Sequence, residues 1–142
     1  LNSLIKKIPN INYDFYGFEN KEPIWGDHFY NALINSKMGL NLSRGLPTKY
    51  YSSNRIASLM GNGLLTFIDK KTKLNDFFTR NEIVFYDNLS DLAEKILFYK
   101  QKDNLRKKIA KNGKKKYFKL FNEIKIADYI IKKSLGKKTD LY

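Results

Sequence analysis

Thirteen residues, Ser43-Arg-Gly-Leu-Pro-Thr-Lys-Tyr-Tyr-Ser-Ser-Asn-Arg55, gather the densest set of anion-holding groups in the chain. Arg44, Lys49 and Arg55 supply charge, and Thr48, Ser52 and Ser53 supply hydroxyls. The stretch runs into a helical pattern, so its end offers the free N–H groups and positive dipole end of a helix N-terminus. Together these suit a phosphate or a diphosphate. They equally suit a polar surface loop in which Ser53 or Asn54 caps the helix. Tyr50 and Tyr51 offer rings that either stack on a ligand or pack beneath the loop. Asp69-Lys-Lys-Thr-Lys73 is a second cationic segment at the end of an apolar run, read first as a solvated turn.

Other chemistry is excluded by composition. There are no cysteines, so there is no disulfide scaffold, thiolate metal site or cysteine nucleophile. One histidine, His28, cannot build a histidine-based zinc site. Ser43, Ser52 and Ser53 have no neighbouring histidine or elbow motif, which argues against a hydrolase triad. Gly61-Asn-Gly63 follows a helical pattern and precedes a strand pattern, the reverse of a dinucleotide fingerprint, so a helix C-cap fits better. No residue is singled out as catalytic.

The elements that must position these groups follow from apolar periodicity. Residues 1–10 read as a linker or short helix, and Ile11 to Gly17 alternates as a strand would. Phe29, Leu33 and Ile34 recur at helical spacing after Asp27. Met38 to Leu42 reads as a strand, and Ile56, Leu59 and Met60 mark one face of a helix ending at Gly61. Leu64 to Ile68 is a continuous apolar run, as in a strand buried on both faces of a parallel sheet. Leu74 to Phe78 reads as a brief helix and Glu82 to Tyr86 as a strand. Leu89, Leu92, Ala93, Ile96 and Leu97 form a helical stripe capped by Asn88. Leu105, Ile109, Tyr117 and Leu120 continue on a further helix weakened at Gly113, and Ile124, Ala127, Ile130 and Ile131 mark a last one. The alternation predicts an α/β fold: a Rossmann-like three-layer α/β/α arrangement with a parallel sheet of about four strands and C-terminal helices. In such sheets ligands bind beyond the carboxyl ends of the strands, where both cationic segments lie.

The chain has 142 residues, suited to one domain, and a net charge of +13. Residues 1–99 are nearly neutral at +2, whereas residues 100–138 carry +12. Lysine outnumbers arginine 23 to 4, and arginine is the better reader of bases and phosphates, so the excess is weak evidence for nucleic-acid binding. A solvated basic face, or contact with an anionic membrane surface, fits it better. There is no signal peptide and no apolar run long enough to span a bilayer, which gives a cytoplasmic expectation, with peripheral contact at the inner face of a membrane left open. The start at Leu1 suggests a domain cut from a longer protein.

The order of short motifs adds a resemblance. Leu40-Asn-Leu-Ser43 is followed by Asn54-Arg-Ile-Ala-Ser-Leu-Met-Gly-Asn-Gly63, Leu64-Leu-Thr-Phe-Ile-Asp69 and Leu74-Asn-Asp-Phe-Phe78. Glu82-Ile-Val-Phe-Tyr-Asp87, Leu89-Ser-Asp-Leu-Ala-Glu-Lys-Ile96 and Leu105-Arg-Lys-Lys-Ile-Ala-Lys-Asn-Gly113 complete the series. From about Phe29 to Ile131 the chain resembles the C-terminal, donor-binding half of GT-B glycosyltransferases, of the group-1 type similar to spore-maturation-related enzymes. The resemblance implies a linker or helix at 1–10, a nucleotide-sugar-binding domain at 11–121 and a C-terminal helix with basic tail at 122–142. It implies a nucleotide-diphosphate sugar as donor and a glycan or other acceptor as partner. No cofactor or obligatory metal is implied. Arg44, Lys49, Ser52, Ser53 and Arg55 would hold the diphosphate, and Tyr50, Ser58 and Gly63 the nucleoside or sugar. Arg55 matches the family's motif arginine. The glutamate three residues on, which bonds the donor ribose in the family, is Ser58 here, a group that cannot accept as a bidentate anion. The acceptor half of such enzymes is missing from these residues, so the chain alone is expected to bind donor weakly and turn over nothing. The other reading is a non-enzymatic basic α/β module that binds an anionic membrane surface or polyanion through residues 100–138.

Overall fold

The apolar run after Gly63 becomes the central strand of the molecule. In the computed structural model, which describes residues 1–42 and 45–139, β2 spans Leu65–Asp69 and pairs in parallel on both sides. Its neighbours are β1, Met38–Asn41, and β3, Val84–Tyr86, giving the order β1-β2-β3. In register, Leu40 faces Phe67, and Phe67 faces Val84. Helices cover both faces, which is why a strand with no polar face is stable at the centre. The fold is thus α/β and Rossmann-like, as the alternation predicts.

Side-chain alternation along β2 divides the core. Leu65 and Phe67 pack with Leu4 and Ile8 around α1 (Asn2–Lys7) and with Leu92, Ala93 and Ile96 of α4 (Leu89–Gln101). Ile68 packs on the other side with Ile56 and Met60 of α3 (Asn54–Gly61), and with Leu74, Phe78 and Ile83. The long helix α5 (Asp103–Leu120) serves both clusters, with Ile109 and Ala110 in the first and Tyr117 and Leu120 against the second. Helix α2 (Gly26–Asn35) sets Leu33 against Leu59 and Leu64. Each large apolar side chain buried this way contributes roughly 1.5–3 kcal/mol.

The sheet has three strands among the described residues, not four. Ile11 to Gly17 has the alternation of a strand but forms no ladder. Ile11 and Tyr13 lean on the core, and the Tyr13 and Phe15 rings stack at 5.5 Å. The alternation sets one apolar face of the segment against the core, but an apolar face alone does not supply a hydrogen-bonding neighbour. The expected helix over Leu74 to Phe78 is shorter, a 3₁₀ turn at Leu74–Asp76 that follows another at Lys70–Thr72.

Two local features carry measurable consequences. The Asn88 side chain accepts hydrogen bonds from the N–H groups of Ser90 and Asp91, both at 3.0 Å, and so caps α4. Asn88→Ala is expected to cost ~1 kcal/mol in chemical denaturation. On α5, the buried Arg106 donates to the Lys37 carbonyl at 3.2 Å and to Asp103, tying that helix to the entry of β1. Hydrogen bonds from Lys107 and Arg106 hold the Asp103 carboxyl down to about 2. A carboxylate with a lowered folded pKa stabilises the fold above its unfolded pKa, and that stabilisation fades as pH falls toward the folded value. The melting temperature should therefore drop between about pH 4 and pH 2, and Asp103→Asn should fall less steeply across that window than wild type.

Candidate functional site at the carboxyl ends of the strands

The three strands end together, and each end leads into a polar segment. After β1 comes Leu42, then the loop that enters α3 at Asn54. β2 ends at Asp69, whose carboxylate accepts from the Lys71 N–H at 2.8 Å and starts the 3₁₀ turn. After β3 comes Asp87, whose carboxylate meets the Lys70 ammonium at 3.2 Å. The β1 loop is fastened to the β2 turn. The Tyr50 N–H donates to the Thr72 carbonyl at 2.7 Å, and the Tyr50 hydroxyl donates to Asp76 at 2.7 Å. The two cationic segments of the sequence therefore form one rim.

Arg44 lies outside the described residues. Lys49 is exposed, with its ammonium 4.7 Å from the centre of the Tyr50 ring. Tyr50 itself has a left-handed backbone at φ 59° and sets its ring edge against Phe77. Its ring and hydroxyl fasten the loop. Ser52 is exposed beside it. Arg55 donates to the Leu42 carbonyl, which brings its guanidinium to the end of β1.

Ser53 stands at the N-cap of α3 but makes no capping bond with its side chain. Its hydroxyl donates instead to the side-chain oxygen of Asn41, at 3.1 Å. Asn41 is buried at the last position of β1. Among the described residues nothing accepts from the N–H groups of Asn54 and Arg55. A helix start with its usual internal acceptor turned aside is electrostatically set for an outside anion.

Ser58 and Gly63 stand apart from this rim. The Ser58 hydroxyl is spent on the Asn54 carbonyl one turn back, at 3.2 Å. Gly63 follows α3 at the opposite end of the sheet, with φ 77°, and its N–H donates to the Met60 carbonyl as a helix stop. The rim also holds residues that motif reading ranks low. Lys70, Lys71, Lys73 and Asp87 wall a shallow depression of about 340 Å³ at the ends of β2 and β3. Three like charges against one carboxylate favour an anion there. The run of lysines was visible in the sequence, but its contact with the β1 loop depends on the Tyr50 bonds.

A larger cavity of about 480 Å³ runs along the outer edge of β3, between Phe78, Thr79, Asp87, Lys95 and Tyr99. It reflects an unpaired strand edge more than a ligand cradle. Lys95 partly closes that edge by donating to the Phe85 carbonyl at 2.7 Å, a charged cover of the kind that discourages strand addition. Burial raises the Asp91 carboxyl, but hydrogen bonds from Lys95 and the Asp87 N–H outweigh it, so the pKa is lowered. Asp91 is thereby kept ionised, 2.7 Å from the Lys95 nitrogen. Burial, with the Asp69 carboxylate nearby, pushes the Tyr86 hydroxyl up to about 12, so it stays neutral. Among the described residues no three histidine, aspartate or glutamate side chains gather as metal ligands do.

Residues 1–132 match a protein family described as glycosyl transferase-like. No curated protein and no solved structure matches the chain. A match over nearly the whole chain places it in that family: the protein belongs to the glycosyl transferase-like proteins.

Proposed function

We propose that this member of the glycosyl transferase-like family is the donor-binding, C-terminal part of a GT-B transferase, holding a nucleotide-diphosphate sugar at the carboxyl ends of its strands. One observation carries the reading. The N-cap residue of α3 turns its hydroxyl to Asn41 and, among the described residues, the first helix N–H groups have no side-chain acceptor, beside Arg55 and the Lys70 rim. In glycosyl transfer the bond between the sugar and the diphosphate breaks, and negative charge grows on the leaving oxygen. Fixed cations and helix N–H groups aimed at that oxygen stabilise the transition state more than the ground state. Arg55, Lys49 and Ser52 supply these donors with the α3 N-terminus, and Lys70 adds charge from the next strand. Arg44, two residues past Leu42 in the sequence, belongs to the same set.

The reading calls for no metal, because side-chain cations meet the diphosphate charge. Tyr50 lines the rim as its aromatic wall, and donor recognition at the ribose proceeds without the carboxylate that Ser58 replaces. The acceptor glycan and the group that activates it are supplied from outside this domain.

A thermal-shift panel tests the assignment. Nucleoside monophosphates, nucleoside diphosphates and nucleotide-diphosphate sugars are added to the chain, with inorganic sulfate as a control. Under mass action a ligand at 100 times its Kd adds about 2.7 kcal/mol to stability. Stabilisation by diphosphates, well above that by monophosphates or sulfate, is the expected result. Absence of any nucleotide response, in this chain and in a longer protein containing it, contradicts the assignment.

A further inference from the structure

The last helix, α6, spans Glu123–Ser134 and has no buried residue. Its start is fixed. The Asn122 side chain accepts from the Lys125 N–H at 2.9 Å and donates to the Phe118 carbonyl at 3.2 Å, and the Lys125 ammonium reaches back to the Lys119 carbonyl at 2.8 Å. Beyond that hinge the helix exposes its apolar side. Ile124 is 75% exposed, Ile130 57%, Ile131 58% and the following Leu135 63%. At 100° per residue Ile124, Ile131 and Leu135 fall along one line about 16 Å long, and Ile130 lies about 100° round the helix from Ile131. Lys133 lies opposite that line, Lys125 and Lys132 lie on one flank about 80–100° from it, with Lys132 paired to Asp128, and Lys137 and Lys138 follow. A helix with an exposed apolar line, lysines on its other sides and no buried residue has the pattern of one lying in a membrane interface.

Charge decides among the possible covers of this face. Residues 100–138 carry +12, so a second copy would bring a like-charged surface against it. The partner must be strongly anionic and also accept aliphatic side chains. Nucleic acid meets the first requirement, and lysines can meet its phosphates, but its bases are read by arginine and stacked on aromatic rings and offer no apolar interior for isoleucines. The only arginine of this region, Arg106, is buried and bonded to Asp103 and Lys37, and the exposed line of α6 is aliphatic. An anionic bilayer meets both requirements, taking isoleucines below its headgroups and lysines among them.

We propose that α6 and the lysines around it dock this protein on an anionic phospholipid surface, with Ile124, Ile131 and Leu135 inserted and Lys133, Lys137 and Lys138 among the headgroups. The proposal is independent of nucleotide binding, and the two fail separately.

Co-sedimentation of the 142-residue chain with vesicles tests it, using phosphatidylcholine alone and phosphatidylcholine containing phosphatidylglycerol. Binding is expected only to the phosphatidylglycerol vesicles, and high salt should weaken it. The double variant Ile124→Ser, Ile131→Ser should lose about tenfold or more in affinity, while its melting temperature stays near wild type because both side chains are exposed. The triple variant Lys133→Gln, Lys137→Gln, Lys138→Gln should also bind more weakly. No binding to anionic vesicles, or equal binding to both kinds, overturns the proposal. So does an unchanged affinity in the isoleucine variant, which would leave charge alone at work. Tighter binding to duplex DNA than to vesicles, or a dimer in sedimentation equilibrium that the isoleucine variant abolishes, assigns the face to another partner and equally overturns it.

Discussion

Replacing Arg55 by alanine is expected to weaken binding of a nucleoside diphosphate by about tenfold or more, because a hydrogen bond to a charged group is worth ~1.5–3 kcal/mol. Arg55 combines position and geometry. Its bond to the Leu42 carbonyl brings the guanidinium to the end of β1, and its own backbone N–H is one of the two at the helix start without an acceptor among the described residues. A planar guanidinium can meet two phosphate oxygens at once, whereas an ammonium meets them as a point charge. Arg55→Lys should therefore fall between wild type and Arg55→Ala. The side chain is exposed, so the unliganded melting temperature of both variants should stay close to wild type. Isothermal titration calorimetry supplies the affinities, and equal affinity in wild type and Arg55→Ala removes Arg55 from the site.

The second large effect concerns the scaffold. Gly113 lies in the middle of α5, where a methyl group would sit 2.2 Å from the carbonyl oxygen of Glu82 and 3.2 Å from Met60. The near atom is backbone at the entrance to β3, so it cannot swing aside as a side-chain end can. Gly113→Ala forces α5 away from the sheet, and overpacking of this kind costs ~1–3 kcal/mol. This outweighs the gain of up to ~1 kcal/mol that alanine ordinarily brings to a helix. Gly61, at the end of α3, is the control, because the nearest atom to an added methyl is 3.9 Å away at the tip of Phe118. Gly61→Ala should be neutral or stabilising. Urea denaturation of both variants separates a glycine needed for close approach from one that is merely tolerated.

Much of this fold can be read from period and punctuation. The run Leu64 to Ile68, apolar but for Thr66, reads as a doubly covered strand, and β2 is one. Asn88 reads as a cap and caps. Gly113 reads only as a weakness in its helix, because sequence does not show that the Glu82 carbonyl passes beside it. Ile11 to Gly17 misleads for a related reason: alternation reports an apolar face and is silent about strand neighbours. The apolar line of α6 has the same period whether it is buried or exposed, so only the structure separates them.

The site was legible to a similar depth. Lys49, Ser53 and Arg55 could be picked as charge and hydroxyl leading into a helix. The role of Ser53 depends on Asn41, twelve residues earlier, and no local pattern connects the two. Tyr50 suggests a stacking ring, yet its hydroxyl and ring are engaged with Asp76 and Phe77. Arg106 sits among lysines in a segment that looks like solvated charge, and its burial comes from the packing of α5 against the start of β1.

The central claim is that a nucleotide-sugar donor rests its diphosphate on the start of α3. An NMR titration of the labelled chain with a nucleoside diphosphate tests it residue by residue. The largest backbone amide shifts should fall on Asn54 and Arg55, with smaller ones at Lys49, Ser52 and Lys70, and none at Gly63 or along α6. Shifts confined to residues 100–138, or no shifts at saturating nucleotide in a longer protein that contains this domain, would contradict it.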